Sequence, residues 1–144
     1  MGTYAQGIFT PKHPDKYLGR GSVRYRSSWE WAVMNFCDNH PSITQWASEN
    51  IRIPYRNPIT GKATNYVPDF FVVFVDKDDK THGEVWEIKP KKEVSINEAK
   101  SQRDKIMAIV NGEKWRAASA WCKQNGLTFR VITEEHLFFN GRKR

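Results

Sequence analysis

The apolar positions fall into short runs with two different periods. Between residues 28 and 38, Trp29, Val33, Phe36 and Cys37 recur at helical spacing, and Asp38-Asn39-His40-Pro41 stops the run. The pattern predicts a first helix over 28–38. Two short strands are expected over 43–48 and 51–55, and Asn57-Pro58-Ile59-Thr60-Gly61-Lys62 is a turn by composition. A strand is expected over 66–75, where Phe70 to Val75 are consecutive β-formers in a run too short for a buried helix; such a strand is covered on both faces. The polar turn Asp76-Lys77-Asp78-Asp79-Lys80 leads to a strand over 84–89 carrying Val85, Trp86 and Ile88, and Pro90 ends it. These two strands predict a hairpin at the centre of a sheet. Two helices are expected over 96–110 and 113–125, the second with an apolar stripe of Trp115, Ala118, Trp121 and Cys122 and closed by Gly126. A last strand over 128–132 and a helical turn over 134–139 complete the chain. The order α-β-β-β-β-α-α-β is that of an α/β domain with a mixed β-sheet flanked by helices.

At 144 residues the chain fits a single domain, 1–144. No run approaches the ~20 apolar residues of a membrane span, so no membrane association is expected. The first residues lack an apolar signal core, which argues against secretion. Cys37 and Cys122 show neither CxxC nor paired-His spacing and read as buried, reduced thiols rather than zinc ligands. Lysine and arginine outnumber acids 23 to 16, a net charge of +7 that points to a polyanion partner, most simply nucleic acid. The charge concentrates in an arm over 1–26, where Lys12, Lys16, Arg20, Arg24 and Arg26 face only Asp15, and in a tail over 140–144. The arm is poor in aliphatic residues and reads as mostly irregular, with packing through Tyr4, Ile8 and Phe9 as the alternative.

The chemistry concentrates in Val67-Pro68-Asp69-Phe70 and, eighteen residues beyond Asp69, in Glu87-Ile88-Lys89. Alternate residues of a strand share a face, so Glu87 and Lys89 point one way and Ile88 the other. Hairpin pairing can bring Asp69 beside Glu87 if the register allows. Two adjacent carboxylates repel unless a cation lies between them, and hard oxygen donors without thiolate or imidazole favour Mg²⁺ over zinc. The Ile88 carbonyl is a further candidate ligand. Such an ion supports phosphodiester hydrolysis, with Lys89 holding the nucleophilic water or offsetting charge in the transition state. The plainer alternative is a strand-start aspartate and an exposed Glu87–Lys89 ion pair of little energetic weight. Glu30 has its own plain explanation: Ser27-Ser28-Trp29-Glu30 is a capping box in which Glu30 returns a hydrogen bond to the Ser27 amide.

Pro68-Asp69 with Glu87-Ile88-Lys89 in this element order resembles the PD-(D/E)XK nucleases, which have the restriction-endonuclease-like core. Ser28-Trp29-Glu30, Tyr66-Val67-Pro68-Asp69-Phe70, Trp86-Glu87-Ile88-Lys89-Pro90 and the end running from Ala118 through Trp121-Cys122 to Val131-Ile132-Thr133-Glu134 are similar to the TnsA-type endonuclease domain. The resemblance implies Asp69 and Glu87 as metal carboxylates, Glu30 as a third and Lys89 as the catalytic lysine. It implies Mg²⁺, with Mn²⁺ able to substitute, and DNA cleavage leaving 5′-phosphate and 3′-hydroxyl ends. TnsA relatives often have Gln where Glu87 stands, and their further domain, which engages transposase partners, has no counterpart here, so those partners are not carried over. From its Met1-Gly2-Thr3-Tyr4 start the whole chain also resembles small phage nucleases of head maturation. That resemblance implies action after DNA packaging in the host-cell cytoplasm or on the virion, with phage head or neck proteins as partners. A homodimer is one option for the oligomeric state.

Arg20, Arg24 and Arg26 are the foremost candidates for phosphate contacts, followed by Lys91, Lys100 and Gln102. No sequence-reading module is visible, so recognition by DNA backbone and shape is expected. The rival reading is a structural head-completion protein that binds DNA without cutting it.

Overall fold

The computed structural model describes residues 6–19, 21–91 and 101–136. Its centre is a four-stranded sheet built from β3 (Ile43–Ser48), β6 (Phe70–Val75), β7 (Thr81–Ile88) and β8 (Thr128–Ile132), in the order β3-β6-β7-β8. The first two pairings are antiparallel and β7 pairs with β8 in parallel, so the sheet is mixed. A parallel pair needs a crossover, and α2 (Gln102–Gln124) lies within it. Helix α1 (Ser28–Asn39) covers one face. Val33, Met34 and Cys37 pack there with Ile43, Trp46, Phe70 and Val72, against the half-buried Trp86 and Ile88. Helix α2 covers the other face with Phe129 and the ends of a separate two-stranded ribbon, β4 (Ile53–Arg56) and β5 (Ala63–Tyr66). The α/β class, the mixed sheet and the central hairpin are as the pattern implies.

Three expectations need correction. The described part of the arm is less irregular than expected, and the packed alternative holds at Phe9 but not at the exposed Ile8. That part forms an antiparallel pair, β1 (Gly7–Phe9) with β2 (Val23–Tyr25), and a 3-10 turn at Pro14–Lys16. Phe9 and Tyr17 lie against the fully buried Trp46, with ring centroids 5.9 and 4.8 Å away. The buried Asp38 carboxylate accepts the Lys12 and His13 amides at 2.7 and 3.0 Å. The Lys16 ammonium reaches the carbonyls of Cys37, Asp38 and His40, a positive charge on the negative end of the α1 dipole. Few aliphatic residues are needed when a buried acid and one tryptophan anchor the segment.

Residues 66–75 are not one strand. Tyr66 ends the ribbon and Phe70 opens the central strand, and the chain passes between the two through Val67-Pro68-Asp69. Proline lacks the amide a ladder requires. Nor are there two helices over 96–125: α2 runs unbroken through Asn111 and Gly112. Its N-cap Ser101 accepts the Asp104 amide, and Gly126, at φ 72°, follows its C-cap. The expected helix residues 96–100, the turn residues 137–139 and the tail 140–144 lie outside the described residues.

Candidate active site

The register Phe70↔Trp86 brings Asp69 across from Glu87 at the open end of the central hairpin, away from the Asp76–Lys80 turn. Asp69 Oδ2 accepts the Ile88 amide at 2.7 Å, continuing the ladder with a side chain where the main chain bends away. Glu87 is buried, 7% exposed. Its Oε1 accepts the Tyr66 hydroxyl at 2.6 Å, and its Oε2 lies 4.0 Å from Lys89 Nζ. This is no solvated surface pair. The Lys89 amide donates to the Ile132 carbonyl at 3.0 Å, so β8 fixes the backbone from which that lysine departs.

The electrostatics match the crowding. Burial raises the Asp69 carboxyl well above its ordinary range, and the negative charge of Glu87 adds to this; the Ile88 amide opposes it only in part. Burial also raises Glu87, against the Tyr66 hydroxyl and the positive charges of Lys89 and Lys114. Two enclosed carboxylates that resist ionising together form a site that gains from a cation. Burial and the neighbouring Glu87 charge also push the Tyr66 phenol far up, which keeps it a hydrogen-bond donor.

The third expected carboxylate is placed differently. Ser27 caps α1 by accepting the Glu30 amide at 3.2 Å, but Glu30 Oε1 accepts the Arg26 amide at 2.9 Å rather than that of Ser27. The capping box is thus shifted by one residue. The Glu30 charge is felt at Asp69. Among the described residues, however, no three carboxylate, imidazole or thiolate side chains converge as a ready metal cage. The structure brings together Asp69, Glu87 and Lys89 beside the Ile88 amide, and leaves Glu30 at the edge.

Of the expected DNA contacts, Arg24 is exposed on β2 and Gln102 is exposed at the first position of α2. Arg26 holds Glu49 through both terminal guanidinium nitrogens. The Lys91 amide donates to Glu134, and its ammonium lies 3.3 Å from Glu135. The positive charge of these two is therefore shared with acids. Arg20 and Lys100 lie outside the described residues.

Two participants carry no role in the sequence reading. Tyr66 stands inside the Tyr66-Val67-Pro68-Asp69-Phe70 motif, and its aromatic ring so near an expected metal ligand was a usable signal. Lys114, on α2, sits 6.0 Å from the Tyr55 ring centroid and 5.7 Å from that of Tyr66, and its charge lowers Glu87. One lysine among several on a helix carries no sequence mark of this position.

Asp69, Glu87 and Lys89 thus lie together at one end of a mixed α/β sheet, and the comparisons place the chain in a nuclease family. Residues 40–134 match the family model described as TnsA-like endonuclease N terminal, and the chain belongs to that family. The matched span contains Asp69, Glu87 and Lys89 but not Glu30. The chain is also similar to the head completion nuclease of Enterobacteria phage T4, with 34% identity over 142 residues covering 91% of this chain and 92% of that protein.

Proposed function

We propose that the chain is a divalent-cation-dependent DNA endonuclease of the PD-(D/E)XK type, acting at phage head completion and directed by DNA structure rather than sequence. The observation that supports this most is the pairing of the half-buried Asp69 with the buried Glu87, both carboxyls raised, with the Lys89 ammonium 4.0 Å from Glu87. The donor set fits Mg²⁺ or Mn²⁺, being carboxylate oxygen without thiolate or imidazole. Asp69 and Glu87 would hold the ion, joined by the Ile88 carbonyl and Glu30. When bound, the ion supplies a Lewis acid and a water of lowered pKa.

The chain's own groups do the rest. The Ile88 amide fixes one Asp69 oxygen and the Tyr66 hydroxyl fixes one Glu87 oxygen, so both acids keep their aim without reorganising. Lys89 orients the attacking water and offsets the charge that grows on the phosphate oxygens. The water oxygen bonds to phosphorus, the bond to the 3′ oxygen breaks, and a proton reaches that oxygen, leaving 5′-phosphate and 3′-hydroxyl ends. Such a site leaves base identity unread, in keeping with recognition through backbone and shape.

The test is supercoiled plasmid with and without Mg²⁺ or Mn²⁺, using wild type and Asp69→Ala. Wild type should nick or linearise DNA only with the cation. Asp69→Ala should lose cleavage yet bind DNA in chelator as tightly or tighter, because a negative charge near phosphate is gone. Wild type that binds DNA but never cuts it under any divalent cation overturns the enzymatic reading in favour of a DNA-binding structural protein.

A further inference from the structure

The ribbon β4–β5 stands apart from the central sheet, and its two ends differ. At its base Ile53 and Tyr66 are buried against Ala118 of α2. From residue 58 to residue 65 every residue is exposed. The far end is nevertheless rigid. Asn57 Oδ1 accepts the amides of Ile59 and Thr60 at 2.8 and 3.1 Å. The Asn57 amide donates to the Lys62 carbonyl, and the Gly61 amide to the Asn57 carbonyl. Arg56 donates to the Gly61 carbonyl, and Gly61 takes φ 75°, open only to glycine without cost. This braced turn holds Ile59 out in water at 54% exposure, beside Pro58.

Charge gives the partner. Between Glu49 and Asp69 the chain carries Arg52, Arg56 and Lys62 and no acid. The register Arg56↔Ala63 and Pro54↔Asn65 puts Arg56, Pro54 and, by alternation, Arg52 on the ribbon face opposite Ile53 and Tyr55, which turn toward α2. The two arginines stand ~13 Å apart along that face, at the ordinary rise of a strand. Pro54 offers no amide, so the outer edge is blunted against pairing with a strand of another protein. A rigid, acid-free ribbon ending in an apolar point has the chemistry of elements that enter a DNA groove and press a side chain against a base step.

We propose that the β4–β5 ribbon is a DNA-groove finger, with Arg52, Arg56 and Lys62 on backbone phosphates and the Pro58–Ile59 tip wedged against a base step. This rests on the proposed action on DNA and specifies how the substrate is held. Tyr66 couples the base of the finger to Glu87, so the wedge lies at a fixed distance from the carboxylates. The four residue steps from Tyr66 back to Lys62 span ~13 Å, or about four base-pair rises of duplex. A wedge favours DNA that is already easy to unstack, such as a nick, branch or flexible step.

The test uses the full chain in chelator, so that nothing is cut, with duplexes carrying 2-aminopurine at successive positions. Wild type should raise the fluorescence at one step, more strongly in nicked than in intact duplex, and Ile59→Ser should abolish the rise. Arg52→Ala and Lys62→Ala should each lower the slope of log affinity against log salt by about one. Lys77→Ala, in the turn at the opposite end of the hairpin, should leave that slope unchanged. Thermal melts confirm that each variant is folded. If Ile59→Ser keeps the full signal and both ribbon variants keep the wild-type slope, the finger is overturned, and plasmid nicking in Mg²⁺ by the same preparations shows the nuclease reading intact. Ribbon variants that weaken DNA binding in a protein that never cuts would support the finger and overturn the nuclease reading alone. Ribbon effects seen with duplex RNA and not with DNA would overturn the proposal.

Discussion

Tyr66 donates its hydroxyl to Glu87 Oε1 across 2.6 Å, joining the ribbon to the strand that carries the site. Tyr66→Phe keeps the ring and deletes the bond. A buried carboxylate that loses its donor costs about 1–3 kcal/mol, and loss of a group supporting a metal ligand lowers affinity or activity ~10–100-fold. Urea unfolding and plasmid nicking at saturating Mg²⁺ should both register the change. A variant with wild-type stability and wild-type cleavage would show that the bond holds nothing in place.

Asp69 and Glu87 should make stability depend on pH and, if the pair holds a cation, on that ion as well. Both carboxyls are raised, each by burial first and Asp69 also by the facing charge. A carboxyl raised in the native state holds its proton more tightly there than in the unfolded chain. Its stabilising contribution is complete below the ordinary carboxylate value, about 4, and is lost as pH rises through the native value. In chelator, the melting temperature of wild type minus that of Asp69→Asn should therefore fall as pH rises from ~4 toward neutrality. Asp76 runs the other way, lowered chiefly by its hydrogen bond to His82, and it cancels in that difference. A divalent cation held by the pair would replace the proton. At a hundred times its dissociation constant it should add about 2.7 kcal/mol, or ~5–10 °C, at neutral pH, with no gain near pH 4. A neutral-pH melting temperature indifferent to Mg²⁺ and Mn²⁺ would count against a cation at this pair.

Glu30 can be a cap or a site residue, and Glu30→Gln separates the roles. The amide oxygen can still accept the Arg26 amide, but the charge is gone. A site role predicts a loss of cleavage on the order of a hundredfold with stability within about 0.5 kcal/mol of wild type. Ser27→Ala is the reference, since removing the cap costs ~1 kcal/mol and should spare cleavage. Glu30→Gln cutting at the wild-type rate would return Glu30 to capping alone.

Gly112 lies in mid-helix on α2, is exposed, and a Cβ placed there meets nothing within 4 Å. Gly112→Ala should stabilise the protein by about 1 kcal/mol, raising the melting temperature by ~2–4 °C. A lowered value would mean that the helix needs a bend at that point.

The same Gly112 explains one difference between pattern and structure. Asn111-Gly112 has the composition of a break, yet Asn111 is buried and the helix continues, because packing along α2 outweighs a local preference of ~1 kcal/mol. Helix α1, strand β3, the central hairpin and β8 were legible because each carries its own period and a clear stop. Of the ribbon, the first strand and the Asn57–Lys62 turn were legible, but the second strand was not, because Tyr66 and Phe70 are both apolar and only Pro68 marks where the chain changes sheets. Of the arm's order, only packing through Phe9 was legible; its other anchors, Asp38 and Trp46, lie far along the sequence from the residues they hold. At the site, Asp69, Glu87 and Lys89 were legible as a motif. The Arg26 amide taking Glu30, and Lys114 arriving from α2, depend on how separate elements come to rest, which no local spacing records.

The Lys89 amide is secured by Ile132, forty-three residues further on, through the parallel pairing of β7 with β8. During synthesis, both acids leave the ribosome well before the strand that braces the lysine. A chain not yet extended to β8 thus possesses the acidic pair without its fixed amine. Chain order itself sets the two acids in place before the amine beside them is fixed.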